Sequence, residues 1–134
     1  MKWRLLAIFA VALTVLILVL RTCSSPPNQG KRLYVSNCAS CHMENGKGLG
    51  KAIPPLAQAD YLEKHREKFA CIVRNGQHDT IKVNGIEYDI PMKGIPTLTE
   101  IQITNIANYV YSSWGNQGKK FKVQEIEEQL ENCE

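Results

Sequence analysis

The sequence has little to offer nucleic acid, structural zinc or a repeat scaffold. Of its 16 Lys and Arg residues, Lys2, Arg4 and Arg21 fall in the first 21 positions; the other 13 face 13 Asp and Glu. The remainder is therefore formally neutral and has no charge surplus for a phosphate backbone. No internal repeat or low-complexity segment is present. Strand signals are nearly absent, which excludes the α/β frame of a dithiol oxidoreductase. A second cysteine pair at zinc spacing is also missing, and a structural zinc site needs four ligands. Methionines number three, so a thioether ligand must come from a short list.

A long apolar run is present only at the start. "MKWRLLAIFAVALTVLILVLRTCSS" has a basic head, an uninterrupted apolar run from Leu5 to Leu20, then Arg21. That is an export signal or a membrane anchor, and Lys2 and Arg4 would hold its N-terminus on the cytoplasmic side. Cys23 follows the run and resembles the acylated cysteine of a bacterial lipoprotein. A cleaved signal, a retained anchor and a lipid anchor all fit. "SSPPNQG" reads as a flexible tether.

Downstream, "GKRLYVSNCAS" reads as a short helix and "MENGKGLGKAIPPLAQ" as loop. Asp60 is placed to cap a helix through "YLEKHREKFACIVRN" to Gly76, with Leu62, Phe69, Ile72 and Val73 inward. Asn84-Gly85 between β-formers predicts a hairpin. "TLTEIQITNIANYVYSSWG" predicts a helix with a capping box of Thr97 and Glu100, ending at Gly115. Val123, Ile126 and Leu130 form the stripe of a last amphipathic helix.

The chemistry is concentrated in "CASCH", residues 38–42. A Cys38–Cys41 disulfide would leave His42 without a role. Covalent haem uses all three: two thioethers hold the porphyrin edge, and the adjacent histidine lies beneath the iron.

With that motif the chain resembles a class I cytochrome c over residues 28–116. The family's first helix carries a glycine and an aromatic four apart, the aromatic four before the first haem cysteine; here these are Gly30, Tyr34 and Cys38. Its last helix crosses there with an aliphatic and an aromatic three apart, matched by Ile106 and Tyr109. The resemblance implies an all-α fold of three main helices around one covalent haem c, with a small β-hairpin and an extra C-terminal helix. The implied organisation is an export signal or anchor over 1–22, a tether over 23–30, the cytochrome c domain over 31–116 and an amphipathic tail over 117–134. In the family a proline carbonyl accepts a hydrogen bond from the ligating histidine. Pro54 is the best match and Pro55 its rival, with Leu56 packing on the haem.

The resemblance also implies a methionine as second axial ligand, in the loop before the last helix. Met92 in "DIPMKGIP" has that position, whereas Met1 lies in the export segment and Met43 directly follows His42. Pro91 precedes Met92 and Lys93 follows it, where many relatives have proline after the methionine. His65 and His78 are rival ligands, and Met92 as a mere core filler is the alternative. The hairpin and "YVYSSWGN" resemble a subgroup that occurs alone or joined to respiratory and nitrogen-cycle enzymes. There Tyr88 and Trp114 would line the haem pocket, or simply pack the core.

The expected function is single-electron transfer in the periplasm, on the outer face of the cytoplasmic membrane, between redox proteins. Neither nucleic acid nor a small-molecule substrate is expected, and the chain is read as a carrier rather than an enzyme. The alternatives are a cytochrome subunit bound in an oxidoreductase complex and a haem sensor or peroxidase with an open distal site. Cys71 and Cys133 remain. In an oxidising compartment they are expected to pair and pin the tail; the alternative is a buried Cys71 and a free Cys133.

Overall fold

In the computed structural model the described residues are 2–3, 10–16 and 28–133. Residues 23–27 of the expected tether, Cys23 among them, lie outside them, as does most of the 1–22 segment; the tether's last residues, 28–30, are instead the cap and first turn of a helix. Residues 10–16 are helical with Val11, Leu13, Val15 and Leu16 exposed. Among the described residues no helix is long and apolar enough to cross a membrane.

Asn28 opens helix α1, Gln29–Asn37, its side chain accepting from the Lys31 N–H at 3.0 Å. A short helix α2, Ala39–His42, follows, and a loop runs to α3, Asp60–Lys64. A 3₁₀ turn, Arg66–Lys68, leads into α4, Phe69–Asn75. Four short strands come next: β1 (Gly76–Gln77), β2 (Ile81–Val83), β3 (Ile86–Tyr88) and β4 (Met92–Lys93). Helix α5, Glu100–Ser112, and helix α6, Val123–Glu131, complete the described chain.

The crossing of α1 and α5 organises the core. A side-chain carbon at Gly30 would strike the Asn105 carbonyl and Tyr109 Cβ, so only glycine lets these backbones come together. Tyr34, Ile103, Ile106, Val110 and Tyr111 of the two crossing helices are buried, together with Phe69, Val73 and Leu98 from the surrounding elements. A smaller cluster of Ala59, Val83 and Tyr88 sits under the hairpin. That hairpin is the expected one: Ile81 pairs with Tyr88 and Val83 with Ile86, around Asn84-Gly85 with both φ positive. A second, separate ladder pairs β1 with β4, without any strand signal in the residues.

The middle helix departs from expectation. The chain breaks at His65 (φ −126°, ψ 36°), and Asp60 lies inside α3 rather than capping it. The Asp60 carboxylate instead accepts from the Asn84 N–H at 2.7 Å and from Lys64 Nζ at 2.8 Å, latching the hairpin tip. Phe69 and Val73 are buried as expected, whereas Leu62 and Ile72 are half-buried. The capping box of α5 also sits two residues later, at Thr99 and Gln102. Thr99 Oγ1 accepts from the Gln102 N–H, and Gln102 Oε1 accepts from the Thr99 N–H.

The tail is docked. Cys71 and Cys133 form a disulfide with Cα atoms 5.5 Å apart, and Ile126 is fully buried. Gln129 of α6 fills the gap left by the helix break. Its Oε1 accepts from the Ala70 N–H at 3.0 Å and its Nε2 donates to the Arg66 carbonyl at 3.2 Å. Those two groups would bond each other in an unbroken α-helix.

The docked tail makes two contributions to stability that mutation can separate. Replacing both Cys71 and Cys133 by Ser opens a cross-link with a sequence separation of 62, and should lower unfolding stability by about 4 kcal/mol on chain entropy. A guanidinium midpoint unchanged from the native protein would sink this. Gln129→Ala leaves the Ala70 N–H unpaired and should cost about 1–2 kcal/mol, with faster amide exchange at Ala70 as its local signature.

Candidate functional site

One helical turn assembles the motif. The Cys38 carbonyl accepts from the Cys41 N–H at 3.2 Å and from the His42 N–H at 2.9 Å. This puts positions 38, 41 and 42 on one face. Cys38 is half-buried against the main core and Cys41 is exposed, and neither is in a disulfide. Burial, and next the charge of Cys41, push the Cys38 thiol up to about 11.

His42 is buried, at 8% exposure. Its Nδ1 lies 3.1 Å from the Pro54 carbonyl oxygen. A carbonyl can only accept, so Nδ1 carries the proton and Nε2 presents its lone pair. Burial lowers the imidazole pKa from its ordinary value, opposed in part by the Pro54 hydrogen bond. The ring is thus neutral at pH 7, as a metal-binding imidazole must be. Between Pro54 and Pro55, it is Pro54 whose carbonyl meets the histidine.

The loop is bent to deliver that carbonyl. The Gly48 N–H donates to the His42 carbonyl at 3.1 Å, and the Leu56 and Ala57 N–H groups donate to the Gly46 carbonyl at 2.7 and 2.9 Å. Gly48 has φ +65°, and a Cβ there would strike the Ile53 and Pro54 carbonyl oxygens. Leu56 is half-buried against the main core.

Several supports go beyond what the residues announce. The buried Tyr34 donates its hydroxyl to the Met43 carbonyl at 2.7 Å, and its ring packs on Tyr109 and Trp114 at 5.4 and 5.0 Å. Asn116 accepts from the Gln58 N–H and donates to the Leu56 and Val110 carbonyls, bolting the loop to the end of α5. The "WGN" ending carries that signal, because an amide side chain just past a helix commonly satisfies stray backbone groups.

The second expected ligand stands apart in the chain. Met92 is half-buried on β4, its backbone paired with Gln77, and shares no hydrogen bond with the His42 group. The rivals are otherwise placed: the His65 ring packs on Tyr61 at 4.3 Å and His78 is exposed. Tyr88 packs under the hairpin, and its hydroxyl is 3.4 Å from the Gly50 carbonyl.

Two thiols and a buried, correctly protonated imidazole on one turn suit a covalently tethered, histidine-ligated haem. The glycine cradle behind the ring fits the same group. A family model described as Cytochrome c matches residues 28–114. Cytochrome c-552 of Thermus thermophilus is 34% identical over 97 residues, covering 69% of this chain and 72% of that protein. A second cytochrome c-552 from the same species is also 34% identical, with 64% of that protein covered. The cytochrome c subunit of an alcohol dehydrogenase (quinone) from Gluconobacter oxydans is 29% identical over 91 residues, which are 66% of this chain but 19% of that subunit. The cbb3-type cytochrome c oxidase subunit CcoP of Rubrivivax gelatinosus is 32% identical over 89 residues, 64% of this chain and 25% of that subunit.

Gly48→Ala tests the cradle. The left-handed backbone and the collision with two carbonyls together should cost at least about 2 kcal/mol. The measurement is a denaturation midpoint on the haem-bound protein, and a native midpoint would show that the loop does not need this bend.

Proposed function

This chain belongs to the cytochrome c family, and on that footing we propose that it is a periplasmic single-electron carrier. Haem c, covalently attached, supplies a reversible one-electron iron couple. Cys38 and Cys41 are its thioether anchors and His42 its proximal ligand. Pro54 fixes the His42 tautomer and strengthens its basicity. Leu56 packs on the macrocycle. Met92 is the second axial ligand. Its neutral sulfur and the apolar surroundings disfavour the extra charge of the ferric state and so raise the potential. With both axial positions taken by side chains, no seat remains for a substrate, so the chain is a carrier rather than an enzyme.

The observation that supports this reading most is His42 itself: buried, neutral, with Nδ1 committed to Pro54 and Nε2 unengaged, one residue from a thiol. The periplasmic placement, with an N-terminal anchor or lipid at the membrane, draws on the basic head and apolar run of residues 1–22.

A second reading makes the chain a cytochrome module docked permanently in a larger oxidoreductase. It draws on the relatives in which the matched stretch is a fifth to a quarter of a longer subunit. It also draws on the exposed Glu125, Glu127, Glu128 and Glu131 of α6, a charged face such a partner could meet. Co-purification from membranes separates the two readings.

Met92→Ala is the decisive variant for the carrier reading. The native ferrous protein should not bind carbon monoxide at neutral pH. The variant should bind it readily, with a lowered reduction potential. Ready carbon monoxide binding by the native protein would point instead to a sensor or peroxidase with an open distal site.

A further inference from the structure

We propose that the Arg74–Glu100 ion pair is a positioning device for Met92, tying together the two elements between which the Met92 segment is slung. The proposal rests on Met92 being the axial ligand. Neither residue touches the methionine in the hydrogen-bond pattern; both act through its loop.

The segment from Met92 to Thr99 starts beside the end of α4, where β4 pairs with β1, and enters the start of α5. At its front, β4 is held by a ladder only two residues long, Gly76 with Lys93 and Gln77 with Met92. Isolated two-stranded pairings of that size have little stability of their own. The backbones are nonetheless in close contact, since a Cβ at Gly76 would strike the Met92 carbonyl. The Ile95 N–H donates to the Val73 carbonyl at 2.9 Å, and the Leu98 N–H to the Ile95 carbonyl at 3.3 Å. The ladder and the Ile95 bond hold the segment to the end of α4 and the Leu98 bond is internal to it, while its far end is carried into α5.

Arg74 sets that spacing. It lies one residue before the end of α4, and its Nη2 donates to Glu100 Oε1, at the first residue of α5, at 3.0 Å. The Arg74 side chain is 25% exposed and that of Glu100 42%. Arg74 Nε is buried with no partner, so among the described residues Glu100 is the one acceptor its guanidinium reaches. The carboxylate is further favoured by its place at a helix N-terminus. Its own backbone N–H first, and Arg74 next, hold its pKa below the usual value. Removing Glu100 leaves the half-buried Arg74 guanidinium uncompensated, and removing Arg74 cuts the tie from α4 to the more exposed Glu100 carboxylate.

The test is ligand exchange on the haem-bound ferric protein, with imidazole as the probe. Arg74→Gln and Glu100→Gln should each speed displacement of the methionine by about two- to fivefold, the range that a partly exposed ion pair supports. The charge-reversed pair, Arg74→Glu with Glu100→Arg, should return the rate toward native. Arg74→Lys, which keeps the charge but loses the planar fork, should exchange at least twofold faster and serves if a neutral variant does not fold. Native exchange rates in these single variants, or additive effects in the double-mutant cycle, overturn the proposal. The absorption band of a ferric iron–thioether bond is recorded first on the native protein. Its absence removes the Met92 reading and this proposal together. Its presence alongside unchanged exchange rates removes the clamp alone.

Discussion

The hydrogen bond between His42 and the Pro54 carbonyl is the constraint around which this molecule is arranged. It spans 12 residues of loop that has no regular ladder of its own. To hold one carbonyl within reach of one imidazole nitrogen, that loop must be tied at several points. Gly46 and Gly48 bend it back on itself. The Tyr34 hydroxyl secures its entry at Met43, and the Asn116 amide secures its exit at Leu56. Tyr34 comes from α1, and Asn116 follows α5, the two helices that cross at Gly30. The crossing and the loop therefore stand or fall together: separating α1 from α5 would release both ends of the loop and with them the tautomer of His42. A buried neutral imidazole costs little only while its N–H is paired, so the packing of α1 on α5 sets the protonation of a ring several residues away.

Stability reaches the same core from the opposite end of the chain. The break at His65 leaves the Ala70 N–H without a helical partner and the Arg66 carbonyl with only the 3₁₀ bond from the Phe69 N–H; the Gln129 amide pairs the first and adds a second donor to the other. Arg66 reinforces the junction. Its guanidinium lies 3.4 Å from the Phe121 ring centroid and donates to the Lys119 carbonyl at 2.9 Å. A cation over an aromatic face is worth about 1 kcal/mol or more when partly desolvated. The tail is thus a splint for a broken helix, and the disulfide keeps the splint in place. This explains why an amphipathic segment with few buried residues of its own stays docked: it supplies hydrogen bonds that the rest of the domain lacks.

What can be read in the sequence, and what cannot, divides along the range of the interactions. The CASCH turn, the Asn84-Gly85 hairpin and the stripe of α6 are local, each specified by neighbours within a few positions, and all three are present. The α5 cap is displaced because "TLTEIQ" offers two threonines three residues before a polar acceptor. Thr97 with Glu100 and Thr99 with Gln102 are equivalent on paper; in the structure Glu100 is drawn away to Arg74, which leaves Gln102 to close the box. Asp60 looks like a cap for a similar reason. Its carboxylate has a competing donor in Asn84, 24 residues away, invisible to a local pattern. The helix break has no local signal either, because "YLEKHREKFACIVRN" contains no glycine or proline before Gly76. What stabilises the break is Gln129, 59 residues beyond Ala70.

Met92 shows the limit of local reading most clearly. Its strand is two residues long and carries no alternation that could announce it. The partner strand follows directly on α4, where Gly76 ends the helix and lets the Met92 backbone approach. The position of the methionine is therefore set at least by a helix end and a glycine in separate stretches of chain. Neither is recognisable as a methionine mount until the fold brings them together. The proximal side of the site is written in five consecutive residues because covalent attachment demands that spacing. The mount of Met92 is written across the fold, because a side chain held by packing can be delivered by any loop of the right reach.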